Sequence, residues 1–332
     1  MCFHFLPDAS RALNIDRAFR RSLADSLAYL SDVCAEHLKV DPSSIDGLVN
    51  GLKQGLRLGP VPFGLYSQLV LKLSEGDQEG ATTIWNRLAA SHSPLESMQV
   101  IGLDDPSLAL DLSMYAALMG TGGTDELSIQ PPDHERVPSF LHDLHAALQL
   151  LDRVSPDLSG EIAALVTQLV MVSGNPKDSY IFDGGSCYML WGALFINIER
   201  QRSIVELLEV LVHEAAHLLL YGFTIEEPLT TNSDQDLYPS PLRRDPRPMD
   251  GIFHATWVSA RMYFAMDTLL QSNLLDADSC AKAQKAKAEN RHNFDNGMGV
   301  IQENGMLTMT GRALLESAAQ AVHPSLRLIN NG

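Results

Sequence analysis

The chain has 332 residues, 45% of them apolar and 20% charged, which is ample for a buried core in one large domain or two modest ones. Its 24 basic against 41 acidic residues give a formal charge of -17, which repels nucleic acid and anionic membrane and favours neutral or cationic partners. Cys2, Cys34, Cys187 and Cys280 are widely spaced with no C-x-x-C pair, so neither a zinc ribbon nor a disulfide framework is indicated, and reduced thiols in a cytoplasmic setting are expected. The first 21 residues mix acids and arginines without a long apolar run, and no later apolar stretch approaches 18 residues. Neither an export signal nor a membrane span is expected.

In chain order, apolar spacing predicts a helix over residues 15–38 and shorter helices over 66–73 and 81–91, with 55–64 as a Gly/Pro-punctuated connection. These make an N-terminal helical region, 1–130. Gly120-Thr121-Gly122-Gly123-Thr124 follows no apolar strand and reads as a flexible loop, not a phosphate loop. Between it and Pro131-Pro132-Asp133 lies a soft boundary, after which 131–332 forms the second region. Helices are expected at 139–152 and 159–171. The run from Tyr188 to Asn197 is apolar and aromatic, follows Asp183-Gly184-Gly185-Ser186, and predicts a strand beside the helix that comes next. An edge strand there would suit an extended peptide, and a core strand would fit the pattern equally well. The fold class expected is mainly α with a small β element.

The next helix carries the chemistry. Over 203–222 the chain reads Ser203-Ile204-Val205-Glu206, a capping box, then a largely apolar helix, then Gly222 where a left-handed C-cap is expected. Inside it lies His213-Glu214-Ala215-Ala216-His217, an H-E-x-x-H sequence. Residues four apart stand one turn above each other, so both imidazoles can reach one small cation. Glu214 is badly angled for direct ligation and is better placed to hydrogen-bond a water or a substrate. Burying three polar side chains without strong partners costs about a few kcal/mol, which argues against a pair of idle core histidines.

A third ligand is needed. The astacin-like pattern requires Gly at 220 and His at 223, and Leu220 and Phe223 exclude it. His254, on the next helical run at 251–270, is favoured because two packed helices can place three side chains around one ion; Glu226 and Glu227 are the alternatives. Asp250, one turn before His254, is placed to orient its ring. His142 and His145 read as an exposed helix edge, His292 to Asp295 as a polar loop, and the Ala/Lys stretch at 281–288 as a solvated helix face.

Gly185-Ser186, Trp191-Gly192, Leu211-Val212-His213-Glu214-Ala215-Ala216-His217, Ser240-Pro241, Asp245-Pro246-Arg247-Pro248 and Gly251-Ile252-Phe253-His254 together resemble the HExxH-motif peptide-modification proteins encoded near ribosomally synthesised peptide precursors. The resemblance covers about residues 140–270. It implies a zincin-like pair of metal-binding helices and an iron(II)- and 2-oxoglutarate-dependent hydroxylase that uses dioxygen to oxidise a β-carbon in a precursor peptide. His213, His217 and His254 would then hold the iron, and Arg261 or Arg247 would offer a fork-shaped donor to the distal carboxylate of 2-oxoglutarate. Imidazole also suits zinc. The alternative is a zinc metallopeptidase with Glu214 as general base and Tyr238 or Arg261 stabilising an oxyanion.

Overall fold

The computed structural model describes residues 4–120, 129–175, 182–200 and 203–324. Cys2 and the glycine-run residues 121–124 lie outside them. In chain order the elements are α1 (Ala9–Leu38), α2 (Asp46–Lys53), α3 (Val61–Glu75), α4 (Gln78–Ala89), β1 (Gln99–Gly102), α5 (Leu112–Gly120), β2 (Ile129–Gln130), α6 (Val137–Val154) and α7 (Pro156–Leu165). There follow β3 (Gln168–Gly174), β4 (Gly184–Gly185), β5 (Ala193–Asn197), α8 (Ile204–Phe223), α9 (Met249–Gln271), α10 (Ala277–Asn304) and α11 (Met309–Val322). The expected class, mainly helical with a small sheet, is what is found. Among the described residues no helix is long and apolar enough to cross a membrane.

Two compact units interleave along the chain. One comprises Met1–Ala12, Ser139–Ile162 and Gln201–Gly332, and the other Leu13–Pro138 and Ala163–Arg200. A single boundary near residue 130 does not separate them, because each unit draws on both halves of the sequence.

The second unit contains the sheet. Strands β1, β3 and β5 run parallel in the order β1-β3-β5-β4, with β4 antiparallel at one edge and β2 pairing β3 antiparallel. Residues 168–173 of β3 are all buried, so Leu169-Val170-Met171-Val172 forms an unbroken apolar run of the kind parallel strands show. Such a run carries no alternation, and this corrects the helix expected over 159–171: the helix stops at Leu165 and a strand follows. The strand expected from Tyr188 is also shorter. Tyr188–Leu190 is a turn of 3-10 helix, and Gly192 then takes φ +88, where a Cβ would strike the Thr167 hydroxyl. The Gly192 carbonyl accepts the Thr167 and Gln168 amides at 2.9 and 3.0 Å, and β5 starts only at Ala193. This strand belongs to the second unit and the H-E-x-x-H helix to the first. Helix α3 begins inside the expected 55–64 connection, because Pro60 and Pro62 fall at the first turn, where amides have no intrahelical partner.

The first unit is built on α9, which packs against α8, α10 and α11. Asn290, Phe294, Gly297 and Ile301 of α10 are buried at helical spacing, so the polar loop expected at 292–295 is instead mid-helix. A Cβ at Gly297 would collide with Thr256 Oγ1 of α9, so glycine sets how closely the two helices approach. His142 and His145 lie on the exposed side of α6, as expected.

One buried charge cluster ties the N-terminal segment to this unit. Glu161 Oε2 accepts Arg11 Nη2 at 2.9 Å and its Oε1 pairs with Arg261 Nη2, while Arg261 Nη1 donates to the Phe5 carbonyl at 2.7 Å. All three side chains are at most 6% exposed. Glu161→Gln would leave two buried guanidinium groups without a countercharge, and is expected to lower unfolding free energy by about 3–5 kcal/mol in a denaturant titration. A loss below ~1 kcal/mol would show that the cluster contributes little.

Candidate metal centre

Helix α8 starts as its sequence predicts: the Ser203 hydroxyl accepts the Glu206 amide at 3.3 Å. Its end differs. Gly222 is an ordinary helical residue and the C-cap is Thr224 at φ -87, so no left-handed glycine cap forms. The helix runs on because Phe223 is itself buried, 6.0 Å edge-on from Trp257.

On α8 the His213 and His217 Nε2 atoms lie 3.1 Å apart, and Glu214 Oε1 is 3.9 Å from His213 Nε2. One donor atom from each of His213, Glu214 and His217 falls within 4.8 Å of the others. Two nitrogens bound tetrahedrally to one ion at about 2.0–2.1 Å would stand roughly 3.3 Å apart, so the histidine pair has the separation of ligands sharing a cation. Glu214 is 5% exposed, whereas His213 is about a quarter exposed and His217 is half-buried, so the pair is reachable from solvent.

Helix α9 is locked onto the motif by one bond. The Trp257 indole donates to the Ala216 carbonyl at 3.2 Å, between Glu214 and His217 in sequence, and small Ala215 and Ala216 let the helices approach. His254, one turn before Trp257, is thereby set against His217, ring centroids 5.2 Å apart and nearly parallel. It approaches from the other nitrogen: His254 Nδ1 lies 2.9 Å from His217 Nδ1. The imidazoles therefore form a chain, His213 to His217 to His254, and His254 is not within the tight donor group. Asp250 Oδ2 stands 3.8 Å from His254 Nε2, where it can orient that ring.

Of the other candidate third ligands, Glu226 is exposed, and Glu227 accepts the Thr310 amide at 3.2 Å and pairs with its hydroxyl, capping α11. The arginines singled out from sequence are engaged elsewhere. Arg261 is committed to Glu161 and the Phe5 carbonyl, and Arg247 lies 2.8 Å from Asp245 while exchanging backbone bonds of 2.8 and 2.9 Å with Tyr238. This corrects the assignment of Arg261 to a ligand carboxylate or an oxyanion: a 1% exposed guanidinium held by a buried carboxylate is structural. The Tyr238 hydroxyl accepts Asn232 Nδ2 at 3.2 Å and pins the loop that enters α9.

Two residues were not anticipated. Arg243, in that loop, is close enough for its charge to act on both motif histidines. Tyr221, one turn beyond His217, lies with its ring 5.1 Å from His254 and 6.3 Å from His217. The i, i+4 step from His217 marks Tyr221 in the sequence; Arg243 is marked only by the Arg243-Arg244 pair in an acidic chain.

Burial, reinforced by Arg243 and His254, pushes His213 down to about 4. Burial likewise holds His217 well below the usual imidazole range, with His213, His254 and Arg243 adding to it. His254 is lowered by burial against the opposing pull of Asp250. All three are thus neutral donors at pH 7, the form that binds metal.

No family model matches the chain, and no curated protein matches it.

His213→Ala and His217→Ala are each expected to weaken divalent-metal binding by about a hundredfold or more, and Asp250→Asn by about tenfold to a hundredfold, in a chelator-competition titration. A His217→Ala protein with unchanged affinity would refute the site.

Proposed function

We propose that this protein is an iron(II)- and 2-oxoglutarate-dependent peptidyl hydroxylase, acting on a β-carbon of a residue in a ribosomally made precursor peptide, with α8 and α9 as a zincin-like pair of metal-holding helices. The observation that supports the metal is the partly buried His213, Glu214 and His217 cluster, with His254 brought against His217 from a second helix. His213 and His217 would hold the ion through the facing Nε2 atoms, and His254, which here meets the other nitrogen of His217, would join them by a change of side-chain rotamer; an imidazole set suits iron as well as zinc. The choice of iron, 2-oxoglutarate and a precursor peptide rests on the resemblance in the motif segments.

Bound iron would supply, with 2-oxoglutarate and dioxygen, the oxidising power that turns a substrate C–H into an alcohol. The chain's own tasks are positioning. Glu214 would fix a water or a substrate amide beside the ligand pair, and Asp250 would orient His254. Arg243, whose charge acts on both motif histidines, would take the cosubstrate's distal carboxylate in place of Arg261 and Arg247. Tyr221 would wall the site and limit water beside the histidines.

A second reading has an observation in its favour. Glu214 is 5% exposed and lies with both motif histidines inside 4.8 Å, the placing of a general base in a zinc peptidase. The two differ in what they consume.

Metal-stripped protein titrated anaerobically with iron(II) and then 2-oxoglutarate is expected to develop a visible charge-transfer band only when both are present, and to lose it in His254→Ala. Arg243→Ala is expected to raise the 2-oxoglutarate concentration at half-saturation about tenfold to a hundredfold, the loss of one charged hydrogen-bonded contact. No band in a protein that retains zinc tightly and cleaves peptides would overturn the hydroxylase reading in favour of the peptidase.

A further inference from the structure

In the second unit, Arg17, Arg21, Leu52, Lys53, Gln54 and Gly55 line an open cleft of about 310 Å³. That size is at the lower end of ligand-binding cavities, roughly 300–1,000 Å³. Three cations around one hollow are out of keeping with a chain of formal charge -17. Lys53 is paired with Asp25 at 3.2 Å, whereas among the described residues neither Arg17 nor Arg21 has a side-chain hydrogen bond or ion pair. Two neighbouring arginines of the same unit are already engaged, Arg20 with Asp16 and Arg57 with the carbonyls of Ala163 and Ala164.

The side chains decide which anion suits it. The cleft lies at the C-terminal end of α2, and the amides there are already used: Gln54 on Asn50 and Gly51, Gly55 on Leu52, and Leu56 on Gly51. These amides form no nest, and a helix C-terminus attracts neither phosphate nor carboxylate, so binding of an anion here is left to the side chains. Recognition falls to the guanidinium forks, which match carboxylate and phosphate alike, so it is the spacing of two such forks that favours a run of side-chain carboxylates over a single anion. Arg17 and Arg21 are one turn apart on α1, about 6 Å, close to the ~6.6 Å between alternate side chains of an extended peptide. Leu52 supplies an apolar floor.

We propose that this cleft binds an acidic segment of a peptide, two carboxylates at alternate positions meeting Arg17 and Arg21 with Lys53 at the rim. Taken as part of the substrate, that segment rests on the peptidyl reading above. The recognition itself needs neither metal nor turnover.

The test uses the full-length, metal-free protein and fluorescence anisotropy of two labelled peptides equal in length, one alternating Glu with Ser and one alternating Gln with Ser. The Glu peptide is expected to bind at least tenfold more tightly, the preference to shrink severalfold between 50 and 500 mM salt, and Arg17→Glu/Arg21→Glu to abolish it. Both positions are solvent-exposed, so the variant should fold, and Arg21→Gln provides an independent milder case with an expected severalfold loss. Equal binding of the two peptides, or an undiminished preference in the double variant, would overturn the proposal. Citrate displacing the peptide at matched carboxylate concentration would do so too, by pointing to a small polyacid. Because no iron or 2-oxoglutarate is present, failure here leaves the hydroxylase test untouched, and failure there leaves this binding intact.

Discussion

The hydrogen bond from the Trp257 indole to the Ala216 carbonyl is the contact on which the candidate centre depends. It joins α9 to the middle of the H-E-x-x-H segment and so fixes which residue of α9 faces His217. A slip of one residue would turn His254 about 100° away from its partner, since helical side chains advance by that angle per residue. The contact is reinforced rather than isolated. Phe5 and Phe223 close on the Trp257 ring at 5.5 and 6.0 Å, and Arg11 stands 5.5 Å over Phe223. The Arg11, Glu161 and Arg261 cluster is therefore in mechanical series with the histidines.

Some of the buried polar groups in this unit are answered within their own helix. Thr256 and Ser259 of α9 donate to carbonyls one turn back, at 2.7 Å each, so the buried stretch 252–262 can carry hydroxyls without orphaning them. The imidazoles have no comparable answer among themselves. They contact one another in sequence, all held neutral by burial, and a chain of neutral nitrogens with one end toward solvent is an arrangement that a cation completes.

Much of this was legible in the sequence where local physics decides. The Ser203 cap, the α8 and α9 helices and the juxtaposition of His213, Glu214 and His217 follow from helical periodicity and motif spacing. What was not legible depended on tertiary partners. Leu169 to Val172 reads equally as helix or strand until neighbours are known on both faces. Arg261 has the spacing of a site residue on the His254 face, yet its partner Glu161 is 100 residues away in sequence and claims its guanidinium. Arg243 is the converse: a loop residue with no periodicity to mark it, brought near the histidines because the Tyr238 and Arg247 backbone pair closes the loop. The interleaving of the two units was likewise invisible, since composition does not change where the chain crosses between them.

The central claim is that α8 and α9 together hold one ion through three imidazoles. X-ray absorption at the metal edge of the iron(II)-loaded protein counts them directly, through the outer-shell scattering that a rigid ring produces. The account predicts three histidines in the wild type and two in His254→Ala. Two histidines and a carboxylate in both proteins would contradict it, leaving His254 as a residue that only orients His217.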